Sequence, residues 1–277
     1  MKGIPPLLLI HPVGVGLNHR FWDRFIECWA QRGVVRAPDL LGCAPGPSQP
    51  RPLTPQHWAQ ALRSDLLALN TPAVLVVQGG SLPIALELLK LEPAACAGLV
   101  MVGPPGWRVM GEPAKRWLQV LLWHGLFQGL SGRLFWRWAR REAFLRSFSI
   151  KELFADSGAV DHEWIAMLRD ESAEPITRWA VFAFLAGFWR GNYHQQMQAI
   201  TIPTLALFGD QASGISRSGR RDSTESKLAD YSAAIDQLTT AVIPGRNVLP
   251  YEASQPCVEA ISRWAHQSQA AAKSNGS

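Results

Sequence analysis

Short, mostly apolar runs recur along the chain, and each leads through a glycine- or proline-rich turn into helical spacing. Pro6–Ile10 reads PLLLI, Val34–Pro38 follows, then Ala73–Val77 (AVLVV), Leu99–Val102, Ile202–Gly209 (IPTLALFG) and Thr239–Ile243. The unbroken apolar run at Pro6–Ile10 predicts a strand buried on both faces, and the other runs read as strands. Between them, Phe21, Phe25 and Trp29 recur at helical spacing until Gly33 stops the pattern. Thr54-Pro55 offers a threonine cap and a first-turn proline to a helix running to Leu69. Leu82–Leu91 and Gln255–Gln267 complete the helices of the strand-bearing regions.

Strands alternating with helices predict the α/β class, with a doubly wound, mostly parallel sheet and right-handed crossovers. The alternation stops after Gly106 and resumes near residue 199. One domain over 1–270 is therefore expected, with its sheet core at 1–106 and 199–270, a helical insertion over 107–198, and a flexible tail at 271–277. No internal repeat is visible.

Composition excludes some alternatives. Apolar residues make up 47% of 277, enough for a large core. A net charge of +5 permits contact with nucleic acid or anionic membrane. No nucleic-acid signature accompanies it, so nucleic acid is not an expected partner. Cys28, Cys43, Cys96 and Cys257 form no CxxC pair and no cluster with histidine. They read as unpaired thiols in a reducing compartment, and no metal or cofactor is expected. The N-terminus, MKGIPPLLLIHPVG, lacks the marks of a signal peptide, and no apolar run approaches a bilayer-spanning length. A cytoplasmic protein is the expectation. P-loop, dinucleotide and HExxH motifs are missing.

Six segments carry a family resemblance: LLLIHPVGVG, PDLLGCAPGPS, VLVVQGGSLPIALELL, VMVGPPG, IPTLALFGD and IPGRNVLPYE. In this order and at these intervals the chain resembles the α/β-hydrolase superfamily, and also looks like a group of its cyanobacterial and plastid members. The resemblance implies the α/β-hydrolase fold with a helical cap, and places particular residues. HPVGVG would form the oxyanion loop, with His11 after the first strand. Pro12 has no N–H, so donors there would be Val13, Gly14 or Val15, with Gly80 at the other side of the pocket.

The family's nucleophile sits in a G-x-S-x-G turn between strand and helix. Counting back from IALELL, that motif falls on Val77-Gln78-Gly79-Gly80-Ser81, so Gly79 holds the nucleophile position without a side chain. A register shifted by two residues would instead make Ser81 the nucleophile, and otherwise Ser81 would cap the helix. Asp210, after IPTLALFG, matches the acid position. With no partner histidine, it is left to cap backbone or pair with an arginine. After the last strand, Val248 stands at the histidine position of Pro244-Gly245-Arg246-Asn247-Val248, so no imidazole is available there to take a proton. His11, His19, His124 and His194 are the histidines that could substitute. Cys43 lacks an adjacent base.

Eight of twelve tryptophans lie in the insertion, and residues 133–148 mix them with Arg133, Arg137, Arg140, Arg141 and Arg146. Either this helix packs its aromatic face on the core under arginine stems, or the cap meets a membrane or a large apolar ligand. Residues 212–225, with Arg220 and Arg221, would border the pocket as a lid or a solvated loop. Three functions stay open at this point: a non-hydrolytic binder of a small apolar molecule, a hydrolase of esters or related bonds using Ser81 or water activated by Asp210 with a displaced histidine, and a membrane-peripheral or interaction scaffold.

Overall fold

The computed structural model describes residues 4–46, 50–214 and 223–274. Six parallel strands form one sheet: β1 (Leu7–Ile10), β2 (Val35–Arg36), β3 (Ala73–Gln78), β4 (Cys96–Val102), β5 (Thr204–Gly209) and β6 (Leu238–Ile243), in the order β2-β1-β3-β4-β5-β6. The expected doubly wound parallel architecture is thus present.

The unbroken apolar runs are explained by two cores, one on each face. Side chains alternate across a strand. Leu8, Ile10, Leu75, Val77, Leu99, Met101, Ala206 and Phe208 enter one core, where helices α2 (Pro55–Leu67) and α3 (Leu82–Leu91) cover them. Leu7, Leu9, Val74, Val76, Val100, Val102, Leu205 and Leu207 enter the other, under α1 (Asp23–Trp29) and the long C-terminal helix. The Thr54 side chain accepts from the His57 backbone while the His57 ring accepts from the Thr54 N–H, and this reciprocal box starts α2.

Residues 107–198 contain no strand among the described residues. They fold as α4 (Trp107–Gly111), α5 (Arg116–Val120), a π-helical segment at Leu121–Phe127, α6 (Leu130–Ala139), α7 (Glu142–Phe148), α8 (His162–Glu171), α9 (Arg178–Leu185) and α10 (His194–Gln198). Arg24 of α1 fixes α8 to the sheet layer. Its guanidinium donates to Asp161 at 2.6 Å and lies 4.0 Å over the Tyr251 ring. The last elements are α11 (Thr224–Ala234), α12 (Leu249–Glu252) and α13 (Ser254–Ser274).

Three elements differ from the sequence expectation. β2 has only two paired residues, because it is an edge strand with Arg36 exposed. α11 lacked a legible apolar stripe: its buried positions are Thr224, Lys227 and Tyr231, and Ser223 caps it. α13 continues to Ser274, so 271–274 are helical where a tail was expected, and 275–277 lie outside the described residues. No described helix is long and apolar enough to cross a membrane.

Candidate functional site

The strand order reverses between β1 and β3, since the chain runs outward to β2 and returns to continue on the other side. Open parallel sheets offer their binding crevice at the carboxyl ends of strands flanking such a switch. Two loops leave that point: His11–Leu17 after β1 and Gly79–Ser81 after β3.

β3 ends at Gln78, and the turn into α3 needs a residue in the left-handed region. Gly79 supplies it, with φ +56°. A Cβ built there would find only the Gly103 carbonyl, at 3.9 Å, so the space beside Gly79 admits a side chain that the residue lacks. Gly80 is different. A Cβ on it would sit 2.6 Å from Phe184 Cζ of α9, so the insertion closes down on this turn. The Phe184 ring stacks on Trp189 at 5.0 Å between centroids.

Ser81 is fully buried, and its hydroxyl donates to the His11 carbonyl at 2.9 Å. No histidine ring is its hydrogen-bond partner. It does not cap α3 either, because the hydroxyl is committed across the switch point to the end of β1. The expected capping role is therefore replaced by a strand-to-strand tie.

The His11 ring is equally committed. Nε2 accepts from the Leu40 N–H at 2.9 Å, so it carries no proton; Nδ1–H then donates to the Pro12 carbonyl at 2.9 Å. Burial drives its pKa down to about 4, against a smaller rise from the Pro12 bond. The ring is a neutral peg that seats the loop carrying Leu40, with no nitrogen left for proton transfer. Beside it, the N–H groups of Val13, Gly14 and Val15 have no hydrogen-bond partner among the described residues. Val13 packs its side chain into the core, and the Gly14 carbonyl accepts from Leu17.

On the far side, Asp210 is exposed and its Oδ1 accepts from the Gly245 N–H at 3.0 Å. It caps backbone, one of the two expected alternatives; no ion pair among the described residues includes it. Val248 is 3% exposed and packs in the apolar cluster with Leu153, Phe154, Leu249 and Tyr251. Asn247 links three elements. Its carbonyl accepts from Gln78 Nε2 at 2.7 Å, its side-chain amide donates to the Glu152 carbonyl, and its N–H donates to Leu153.

The other three candidate histidines are engaged elsewhere. His19 meets Asp39, His124 meets Gln128, and His194 stacks on Trp107 while bonding the Trp107 carbonyl. Burial pushes the Cys43 thiol well above its ordinary value, so it is not a ready nucleophile. Among the described residues no group of three or more His, Cys, Asp or Glu side chains could hold a metal. Most of the 212–225 loop, including Arg220 and Arg221, lies outside the described residues.

Phe184, Gln78 and Glu252 carry contacts at this site that were not legible in the sequence. Glu252 accepts from the Arg246 N–H and the Ala155 N–H, joining the loop after β6 to the insertion. All three act through long-range approach, which no local pattern signals. Only the position of Gln78 beside the glycine turn could have drawn notice.

No family model matches the sequence, and no curated protein sequence matches it. Solved structures do. A thermophilic esterase from Thermogutta terrifontis, solved with malate bound, superposes with a TM-score of 0.72 at 21% identity, over 97% of this chain and 92% of that one. A serine hydrolase involved in carbazole degradation gives 0.73 at 16% identity, over 96% and 92%. A bromoperoxidase from Bacillus anthracis gives 0.70 at 17% identity, over 95% and 92%. The chain has the α/β-hydrolase fold over nearly its whole length.

Proposed function

We propose that this α/β-hydrolase-fold chain is a non-hydrolytic binder of a small apolar molecule, held where residues 107–198 close as a cap over the switch point. One observation carries the reading: the turn out of β3 presents Gly79, with room for a side chain and none there, while the nearest hydroxyl, Ser81, is spent on a buried carbonyl. Gly79 and Val248 would then be the degenerate nucleophile and histidine positions, and Asp210 a retained acid position without a base to orient. The buried, apolar setting of Val248 supports this. The stacked Phe184–Trp189 pair over Gly80 supports an apolar ligand, since aromatic roofs bury ligand surface without demanding hydrogen bonds. Four unpaired cysteines support a cytoplasmic location.

The second reading is an active hydrolase using Ser81. The fold's likeness to an esterase and a serine hydrolase favours it. The burial of Ser81 and the absence of a ring nitrogen beside it weigh against it, because a serine nucleophile needs a base within hydrogen-bond reach. A fluorophosphonate probe separates the two. No labelling is expected of the wild-type chain, and labelling that Ser81→Ala abolishes would establish the hydrolase. In the same variant, loss of the tie to His11 should lower stability by about 1–2 kcal/mol in urea unfolding, since it strands a buried acceptor. Native mass spectrometry of the purified chain tests the binder directly, through a co-purifying mass released on denaturation.

A further inference from the structure

The helical hairpin of α5, the π-helical segment and α6 has two unlike faces. Inward, Trp123 and Phe127 pack against Trp179 and Phe182 of α9, and Trp136 packs against the same Phe182. On a helix, residues two or six positions away from these point to the opposite side. Those positions hold Trp117, Leu121, Leu130, Leu134 and Trp138, which are 64%, 56%, 70%, 56% and 44% exposed. Five large apolar side chains thus face away from α9 on adjoining helices. A surface of this kind marks an interaction site.

Charge on the same hairpin narrows the partner. Residues 113–141 contain Lys115, Arg116, Arg133, Arg137, Arg140 and Arg141, and no Asp or Glu. These six positive charges exceed the net +5 of the entire chain, so the remainder is net negative by one. Arg133, Arg137 and Arg141 fall at helical spacing beside Leu130, Leu134 and Trp138. None of the six basic residues takes part in an ion pair among the described residues. At the end of α6, an open groove of about 450 Å³ is lined by Arg137, Arg140, Arg141, Glu142 and Arg169. Four guanidinium groups there outnumber one carboxylate, and planar guanidinium forks match phosphate oxygens.

We propose that this outer face docks on a bilayer surface bearing anionic phospholipids. Trp117, Leu121, Leu134 and Trp138 would sink to the boundary between headgroups and acyl chains, while the flanking arginines meet lipid phosphates. Charge complementarity selects this occupant over a second copy of the chain, because a symmetric contact would bring the six positive charges onto themselves. The contact is peripheral, as no described helix can span a membrane.

Flotation of the full chain with vesicles tests the proposal. Binding is expected to mixed phosphatidylcholine–phosphatidylglycerol vesicles and not to phosphatidylcholine alone, and it should fall as salt rises. Arg137→Glu with Arg141→Glu should lower the partition coefficient by about tenfold or more, given about 1 kcal/mol for each basic residue near an anionic surface. Trp117→Ala with Leu121→Ala should lower it as well, without reducing the salt dependence. All four residues are exposed, so circular dichroism should show the variants folded. Bromine-labelled acyl chains should quench wild-type tryptophan fluorescence more than that of a Trp117→Phe, Trp138→Phe variant. Failure to float with the mixed vesicles would overturn the proposal. So would equal binding to both vesicle types, or a dimer or acidic-protein complex that the paired arginine reversals dissociate while vesicle binding is unchanged.

Discussion

Gly16→Ala is expected to destabilise the protein by about 3 kcal/mol or more, combining overpacking with left-handed strain. Gly16 lies in the loop after β1 with φ +71°, and a Cβ there would fall 2.0 Å from the Leu168 carbonyl oxygen of α8. That oxygen belongs to helix backbone, so no side-chain rotation relieves the clash. Either the loop or α8 must move, and α8 is held to α1 through Arg24 and to the turn just before α1 through Arg20. Gly79→Ala is the informative contrast. Its φ is +56°, but its nearest contact would be an ordinary 3.9 Å. Only the backbone angle opposes it, at about 1–2 kcal/mol. Urea unfolding of both variants reads the difference. A loss under about 1 kcal/mol at Gly16 would remove the claim that this loop and α8 are interlocked. The contrast bears on function. Packing forbids a side chain at Gly16, whereas at Gly79 it does not, so the missing side chain beside the crevice is not a packing requirement of the turn.

The inner strands β1, β3, β4 and β5 were legible because apolar runs buried on both sides leave no polar positions to blur the signal, whereas the edge strands β2 and β6 carry Arg36, Thr239 and Thr240 at exposed positions. β3, α3 and the turn between them fall where the sequence placed them, since Gly79 and Pro83 punctuate that stretch. α11 was not legible, because Lys227 and Thr224 occupy buried positions and break the apolar pattern. At the site, the sequence identified which residue types stand at each loop but not where their polar atoms go. Ser81 could be a nucleophile or a helix cap on local grounds alone. The outcome turned on the carbonyl of His11, seventy positions earlier and brought alongside by β1–β3 pairing. Asp210 shows the same limit: its choice of Gly245 N–H over an arginine depends on how the β5 and β6 loops meet. The charge asymmetry of 113–141 was visible in the sequence, whereas its coincidence with one exposed apolar face needed the packing of α9 beneath it.

Acidification should weaken the fold through His11. Its ring is neutral in the folded protein, with a pKa lowered to about 4 chiefly by burial, while the unfolded chain titrates at its ordinary value of 6.5. Between those values the unfolded state binds the extra proton, so stability rises with pH across the window and is lost as pH falls through it. Above about pH 6.5 the contribution is complete; by about pH 4 some 3 kcal/mol should be gone, from a shift of this size at 1.36 kcal/mol per pKa unit. The structural reason is specific. A proton on Nε2 would face the Leu40 N–H, turning an acceptor into a second donor inside a site with no water-exposed surface. Urea unfolding of wild type and His11→Gln at a series of pH values measures it. Glutamine can still accept from Leu40 but cannot titrate, so its stability should change less steeply between pH 4 and 6.5. Parallel slopes for the two proteins would show that His11 is not held neutral.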